Sequence, residues 1–220
     1  VRAFVIGNGP SLRDTPLDRL VGEVTFAMNR INLLYDKTEW RPAYYLALDW
    51  TGPQMLEDTL ENIGAAKHSF VRADRANDIE LRRSELDWPP RVSYFWPCRR
   101  HAGMNFESNR RPSDWHLPCV CAYGSTLGAA IQLAVLMGYG PLYLLGCDLG
   151  FTPIGDGPDT NHFHPAYMGH DDFSLGTRDA TLRHMHSLAE KSSPVKIYNA
   201  SMGGILEEHE RVDLEDIPWQ

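Results

Sequence analysis

The feature that most constrains this chain is a short apolar run that stops abruptly: Ala3-Phe4-Val5-Ile6, followed by Gly7-Asn8-Gly9-Pro10-Ser11-Leu12. Consecutive apolar residues without polar alternation read as a strand buried on both faces, the pattern of a parallel sheet. The two glycines let the backbone turn sharply and come close to a ligand. Pro10 has no N–H to give to a strand ladder, and Ser11 is a residue that caps a following helix. Strand, glycine turn and helix start together form an anion cradle at the carboxyl end of a sheet strand. In this reading Gly7, Asn8 and Gly9 offer backbone N–H groups to a phosphate.

The rest of the chain repeats the alternation. Apolar runs at 24–27, 43–48, 69–72, 92–96, 142–147 and 195–198 read as strands. Stretches at 16–21 and 31–35 read as short helical turns. Longer helices are expected over 52–63, with Met55, Leu56, Leu60 and Ile63 at helical spacing, over 127–137, ending at Gly138, and over 178–191. The alternation predicts an α/β fold, a Rossmann-like three-layer sandwich with a mainly parallel sheet. One domain spans 1–220, with a loop-rich insertion or lid at 74–121 that is rich in Arg, Pro, Trp and Asn. The tail from Ile205 is acidic and is expected to pack across the surface.

Composition removes several function classes. A net charge of −8 opposes general nucleic-acid binding. No apolar run is long enough to span a bilayer, and no secretory signal pattern opens the chain. Cys98, Cys119, Cys121 and Cys147 match neither a zinc ribbon nor a Cys-x-x-Cys redox pair. Reduced thiols and a cytoplasmic protein are the simplest expectation.

Right-handed crossovers bring the carboxyl ends of parallel strands to one edge, where ligands bind. Polar residues fall at those ends: Asn8, Asn29, Asp49, Asp148, then Asn199 and Ser201, with Ser125 and Thr126 opening a helix. Asn8 and Asn29 carry amides that can read a base or ribose. Ser125 and Thr126 add hydroxyls and a helix dipole for an anion. No Walker-type phosphate loop is present, and Leu12 interrupts any Gly-x-Gly-x-x-Gly fingerprint.

The second chemical cluster is Asn161-His162-Phe163-His164-Pro165-Ala166-Tyr167. His162 or His164 can serve as a general base for a hydroxyl nucleophile. The same pair beside Asp148, Asp156 and Asp159 could hold a divalent metal, or simply order the loop. His170 is a further candidate, whereas His184 and His186 read as ordinary surface or partly buried residues. Arg99-Arg100-His101 and Arg110-Arg111 read as solvated charge, with the capacity to hold a carboxylate or phosphate.

Three stretches, Gly7-Asn8-Gly9-Pro10-Ser11-Leu12, Ala27-Met28-Asn29-Arg30 and Tyr44-Tyr45-Leu46-Ala47-Leu48-Asp49, resemble one superfamily. So do Gly124-Ser125-Thr126 and the run from Met137 to Asp148. That superfamily joins bacterial CMP-sialic-acid-dependent sialyltransferases, flagellar motility accessory factors and archaeal 6-hydroxymethylpterin diphosphokinase-like proteins. The sialyltransferase resemblance implies a CMP-sugar donor contacted by Asn8 and Gly9, with Asn29 near the cytidine and ribose. It implies Ser125 and Thr126 near the phosphate or sugar, and a loop histidine as base, His162 or His164 being the nearest match. Where those enzymes carry an asparagine after the third strand, this chain has Asp49, a charge at odds with an anionic donor unless a metal or proton neutralises it. The diphosphokinase resemblance would instead use Asp49 and Asp148 to hold Mg²⁺ on a nucleoside triphosphate.

The favoured expectation is a cytoplasmic glycosyltransferase-like enzyme of surface-glycan assembly. It would take a nucleotide-sugar donor and a hydroxyl acceptor and need no cofactor, with a homo-oligomer as an open option. A Mg²⁺-dependent diphosphokinase and a non-catalytic nucleotide-binding domain are the alternatives.

Overall fold

The structure, a computed structural model, describes residues 1–48, 53–82, 91–95, 120, 125–153, 157–167 and 175–219. Asp49, Asp156, His170, Cys98, Cys119, Cys121 and both basic clusters lie outside the described residues, as does most of the expected insertion.

The strands are β1 (Ala3–Ile6), β2 (Thr25–Met28), β3 (Tyr44–Ala47), β4 (His68–Arg72), β5 (Arg91–Phe95), β6 (Leu142–Leu145), β7 (Ile197–Asn199) and β8 (Glu210–Arg211). The helices are α1 (Pro53–Ala65), α2 (Ala76–Leu81), α3 (Thr126–Leu136) and α4 (Leu175–Ser192), joined by several 3₁₀ turns. Among the described residues the strands form one sheet in the order β5-β4-β3-β2-β1-β6-β7-β8, and every neighbouring pair is parallel. The order reverses between β1 and β6, which makes that junction the topological switch point.

Both faces of the sheet are covered, as its uninterrupted apolar strands require. Phe4, Ile6, Tyr45 and Leu145 face a core built with Leu12, Leu17, Ile31, Trp40, Leu60 and Ile63. Ala3, Val5, Phe26, Leu142 and Leu144 face the other way, against Ala129, Ala130, Ile131 and Ala134 of α3 and Ala189 of α4. The result is the Rossmann-like three-layer α/β sandwich. Helix α3 is buried nearly all round, and its alanines let it lie close to the sheet. It ends in a Schellman turn: Gly138 sits at φ +84°, its N–H donates to the Val135 carbonyl at 2.9 Å, and the Tyr139 N–H donates to that of Ala134 at 3.0 Å. No described helix is long and apolar enough to cross a membrane.

Several local expectations change. The segment after Asp74 opens with an ordered helix, α2, whose Ile79 is buried in the first core. The strand at 197–199 is not the last, since Glu210–Arg211 pairs beside it. This piece has no apolar pattern to reveal it. The acidic tail also carries Leu214, Ile217 and Trp219 onto the first core, with the Trp219 ring stacked 5.6 Å from Phe4.

His186, expected at the surface or partly buried, is fully enclosed on the inner face of α4. Its Nδ1 meets Nε2 of His209 at 2.9 Å, and His209 Nδ1 meets Glu190 at 2.8 Å. Lys196 pairs with Glu190 in turn, at 3.1 Å. This chain of contacts fastens α4 to the segment preceding β8. Burial, with His209 adding to it, pushes His186 down to about 3. Burial also lowers His209, with Glu190 acting in the opposite sense. Below the ordinary histidine range the unfolded chain therefore binds protons that the folded chain refuses, and stability falls as the solution is acidified. His186 alone should cost about 2 kcal/mol between about pH 7 and about pH 5. Urea unfolding at both pH values measures it, and His186→Gln, which cannot take up the proton, should shrink the difference.

Candidate functional site

The strand register explains why polar residues from distant turns meet. Val5 pairs with Phe26 and Ile6 with Leu145. Three residues beyond each pair come Asn8 and Asn29, at the exits of β1 and β2, and Gly9 and Asp148, at the exits of β1 and β6. The exits of paired strands adjoin at the carboxyl edge.

At the switch point the protein closes the first turn on itself. The Gly7 N–H donates to the Leu145 carbonyl and the Gly9 N–H to that of Gly146, both at 2.7 Å. The Ser11 N–H donates to Oδ2 of Asp148 at 2.6 Å, and the Ser11 hydroxyl to Oδ1 at 2.5 Å. Gly9 is required by closeness: a Cβ there would lie 2.6 Å from the Asp148 carboxylate and 2.8 Å from the Gly146 carbonyl. This corrects the expected cradle. The N–H groups of Gly7 and Gly9 and both polar groups of Ser11 are engaged within the protein, and Asp148 itself is the anion seated there. Ser11 lies inside a 3₁₀ turn whose N-cap is Gly9, and caps no helix.

Asn8 and Asn29 are left differently. The Asn8 carbonyl accepts from the Phe163 N–H at 3.1 Å, while its side-chain Oδ1 is buried without a partner among the described residues. Asn29 adopts φ +53°, which turns its carbonyl toward Tyr45 Oη at 2.8 Å and Asn62 Nδ2 at 3.0 Å. Its Oδ1 is likewise buried and without a partner among the described residues. A buried acceptor left unpaired costs on the order of 1–3 kcal/mol, so two of them on adjacent turns demand an explanation.

Ser125 is the N-cap of α3 and accepts from the Leu127 N–H at 3.2 Å. Helix α3 leads into β6, whose start pairs with the start of β1, so its N-terminus lies toward the carboxyl edge. Thr126 is buried in the first turn. Asn199 and Ser201 serve the framework instead. Asn199 bridges the Leu206 carbonyl and the Ser201 N–H, and the Ser201 hydroxyl accepts from the Cys147 N–H at 2.9 Å.

The loop 157–167 separates the two candidate histidines. Asp159 is buried and accepts from the N–H groups of Asn161 at 2.8 Å and His162 at 3.2 Å. Its other oxygen lies 2.7 Å from His162 Nδ1. A carboxylate only accepts, so Nδ1 carries a proton, which in a neutral ring leaves the lone pair on Nε2. The imidazole stacks on the Tyr167 ring, 4.1 Å away and 8° from parallel, with the Phe151 ring edge-on at 6.4 Å. Phe163, next to it, is buried in the first core and bonded to Asn8. His164 folds the loop back on itself. Its Nδ1 accepts from the Ala166 N–H at 3.2 Å, which leaves the proton of a neutral ring on Nε2. The Asp159–His162 partnership was present in the sequence as an acid three residues before a histidine, within a turn that Asp side chains favour.

Mg²⁺ fits the described residues poorly. Both Asp148 oxygens are engaged by Ser11, and the described residues assemble no group of three or more His, Cys, Asp or Glu side chains able to hold a metal.

No protein-family model and no curated protein matches the chain. Its fold is shared with a known glycosyltransferase. The chain is similar to the Maf glycosyltransferase of Magnetospirillum magneticum AMB-1, at a TM-score of 0.58 and 16% identity, over 100% of this chain and 34% of that one. It thus spans about a third of that protein, and the likeness is one of fold.

Because Ser11 binds Asp148, Ser11→Ala should lower stability by about 1–2 kcal/mol. Chemical denaturation of the variant measures it.

Proposed function

We propose that this chain is a glycosyltransferase-like enzyme that moves a sugar of the sialic-acid type from a CMP-activated donor to a hydroxyl acceptor in surface-glycan assembly. The observation that carries the reading is the Asp159–His162 pair, joined through the Phe163 N–H to Asn8. A base with a buried carboxylate behind it is thereby tied to the turn that would bind the donor. The buried Oδ1 atoms of Asn8 and Asn29 support a ligand with N–H or O–H groups, as a cytosine amine and a ribose supply. The start of α3, with Ser125 and Thr126, is suited to the donor phosphate. The fold shared with a glycosyltransferase supports the same class.

In mechanism, the acceptor hydroxyl attacks the anomeric carbon of the donor sugar. Its proton passes to Nε2 of His162 as the new C–O bond forms. The bond from that carbon to the phosphate oxygen breaks, and the electron pair leaves with the nucleotide. Asp159 stabilises the imidazolium, and the helix dipole of α3 stabilises the leaving phosphate. The diphosphokinase alternative has less support, because both Asp148 oxygens accept from Ser11.

His162→Ala should reduce transfer by about 10²–10⁴-fold, with His164→Ala within about tenfold of the parent. Release of CMP from a CMP-sugar, with and without acceptor, measures both. CMP should raise the melting temperature without metal. Stabilisation by ATP only with Mg²⁺, and none by CMP, would replace this reading with the diphosphokinase.

A further inference from the structure

The residue after Asn29 reaches the end of the histidine loop. Arg30 Nε lies 2.5 Å from Asp58 Oδ2, in a nearly enclosed ion pair. Its Nη1 donates to the Ala166 carbonyl at 2.8 Å and also to that of Tyr167. The guanidinium carbon is 5.9 Å from the centre of the Tyr167 ring, the ring against which His162 stacks. Asp58 is held in turn by Asn32 Nδ2 at 2.9 Å. Asn62, one turn further along α1, donates to the Asn29 carbonyl and to that of Asp58. One side chain therefore links the turn at the end of β2, the middle of α1 and the end of the loop that carries His162.

We propose that Arg30 is a positioning residue for His162. Its grip on two loop carbonyls and on the Tyr167 ring sets the plane of the imidazole, and Asp58 fixes the guanidinium that does so. This rests on the reading of His162 as proton acceptor. The planar fork is essential: one part meets a carboxylate while another donates to carbonyls, a division that the single ammonium of lysine cannot reproduce. Arg30→Lys keeps a charge beside Asp58 but loses the hold on the loop. Displacement of a reacting group by about 1 Å can cost about 10²-fold in rate, so a slack loop shows in turnover rather than in donor binding.

The test uses the full chain with ¹⁵N-labelled histidine, the His162 ring signals being assigned with His162→Ala. Arg30→Lys is compared with the parent. The double variant Arg30→Met with Asp58→Asn, which leaves no buried charge unpaired, stands in should the single change fail to fold. The parent should show one Nδ1–H tautomer for His162. In the variants that signal should broaden or split, kcat for CMP-sugar turnover should fall about 10–100-fold, and KM and the CMP-induced melting shift should stay within about twofold. Unchanged His162 signals in a folded variant overturn the proposal. So does an altered ring with unaltered kcat, if His162→Ala abolishes turnover. If His162→Ala itself leaves kcat unaltered, the base reading fails, and an altered ring in the Arg30 variants still supports the mechanical link.

Discussion

The arrangement depends on one carboxylate. Asp148 leaves the end of β6 and accepts two hydrogen bonds from Ser11, on the far side of the sheet's point of reversal. A buried charge is tolerated only with such partners. Here the partners are an N–H and a hydroxyl of the turn that would otherwise spread apart. Its backbone carbonyl also accepts from Ile205 at 2.7 Å, so the exits of three strands, β1, β6 and β7, meet on one residue. With that corner rigid, the neighbouring turns at Asn8 and Asn29 have a fixed floor from which to present their side chains.

Much of the fold was legible because strand burial writes itself in short uninterrupted apolar runs. Phe4 and Ile6 face one layer and Ala3 and Val5 the other, and only a parallel sheet covered on both sides accepts such a run. Helix α3 and its stop at Gly138 were legible for the same kind of reason, since alanine packing and a left-handed end have local signatures. The pieces that were not legible lack local signals. Strand β8 is Glu210 and Arg211, two charged residues that pair only because β7 is beside them. His186 sits among Leu182, Met185 and Ala189, and one polar residue on an apolar helix face does not announce that His209 will meet it.

The candidate site was legible in position and less so in detail. Polar residues directly after strands mark the edge where turns gather, and the pairing of β1 with β2 puts Asn8 and Asn29 at adjoining strand exits, as that rule requires. The chemistry of the first turn differs from its sequence reading because Ser11 and Asp148 are 137 residues apart in the chain. No spacing rule relates them, and a phosphate and an aspartate compete for the same donors. In sequence Asp159 reads only as one of three aspartates that could join the histidine pair at a metal, whereas in the fold it bonds His162 within a turn. Arg30 belongs to a motif whose asparagine draws the eye first, and its reach to the Ala166 and Tyr167 carbonyls is a tertiary fact.

The pairing of β1 with β6 has a consequence for how such a chain comes into being. Ala3 lies in register with Leu142, so the ladder at the switch point joins residues far apart in the chain, the later of which are made well after the earlier. Closing so long a loop costs entropy before any pairing rewards it, and non-local parallel pairing is slow for that reason. During synthesis the first strand must wait with one edge bare, an apolar ribbon open to any passing strand. The seam at the switch point is among the later parts of this sheet to close.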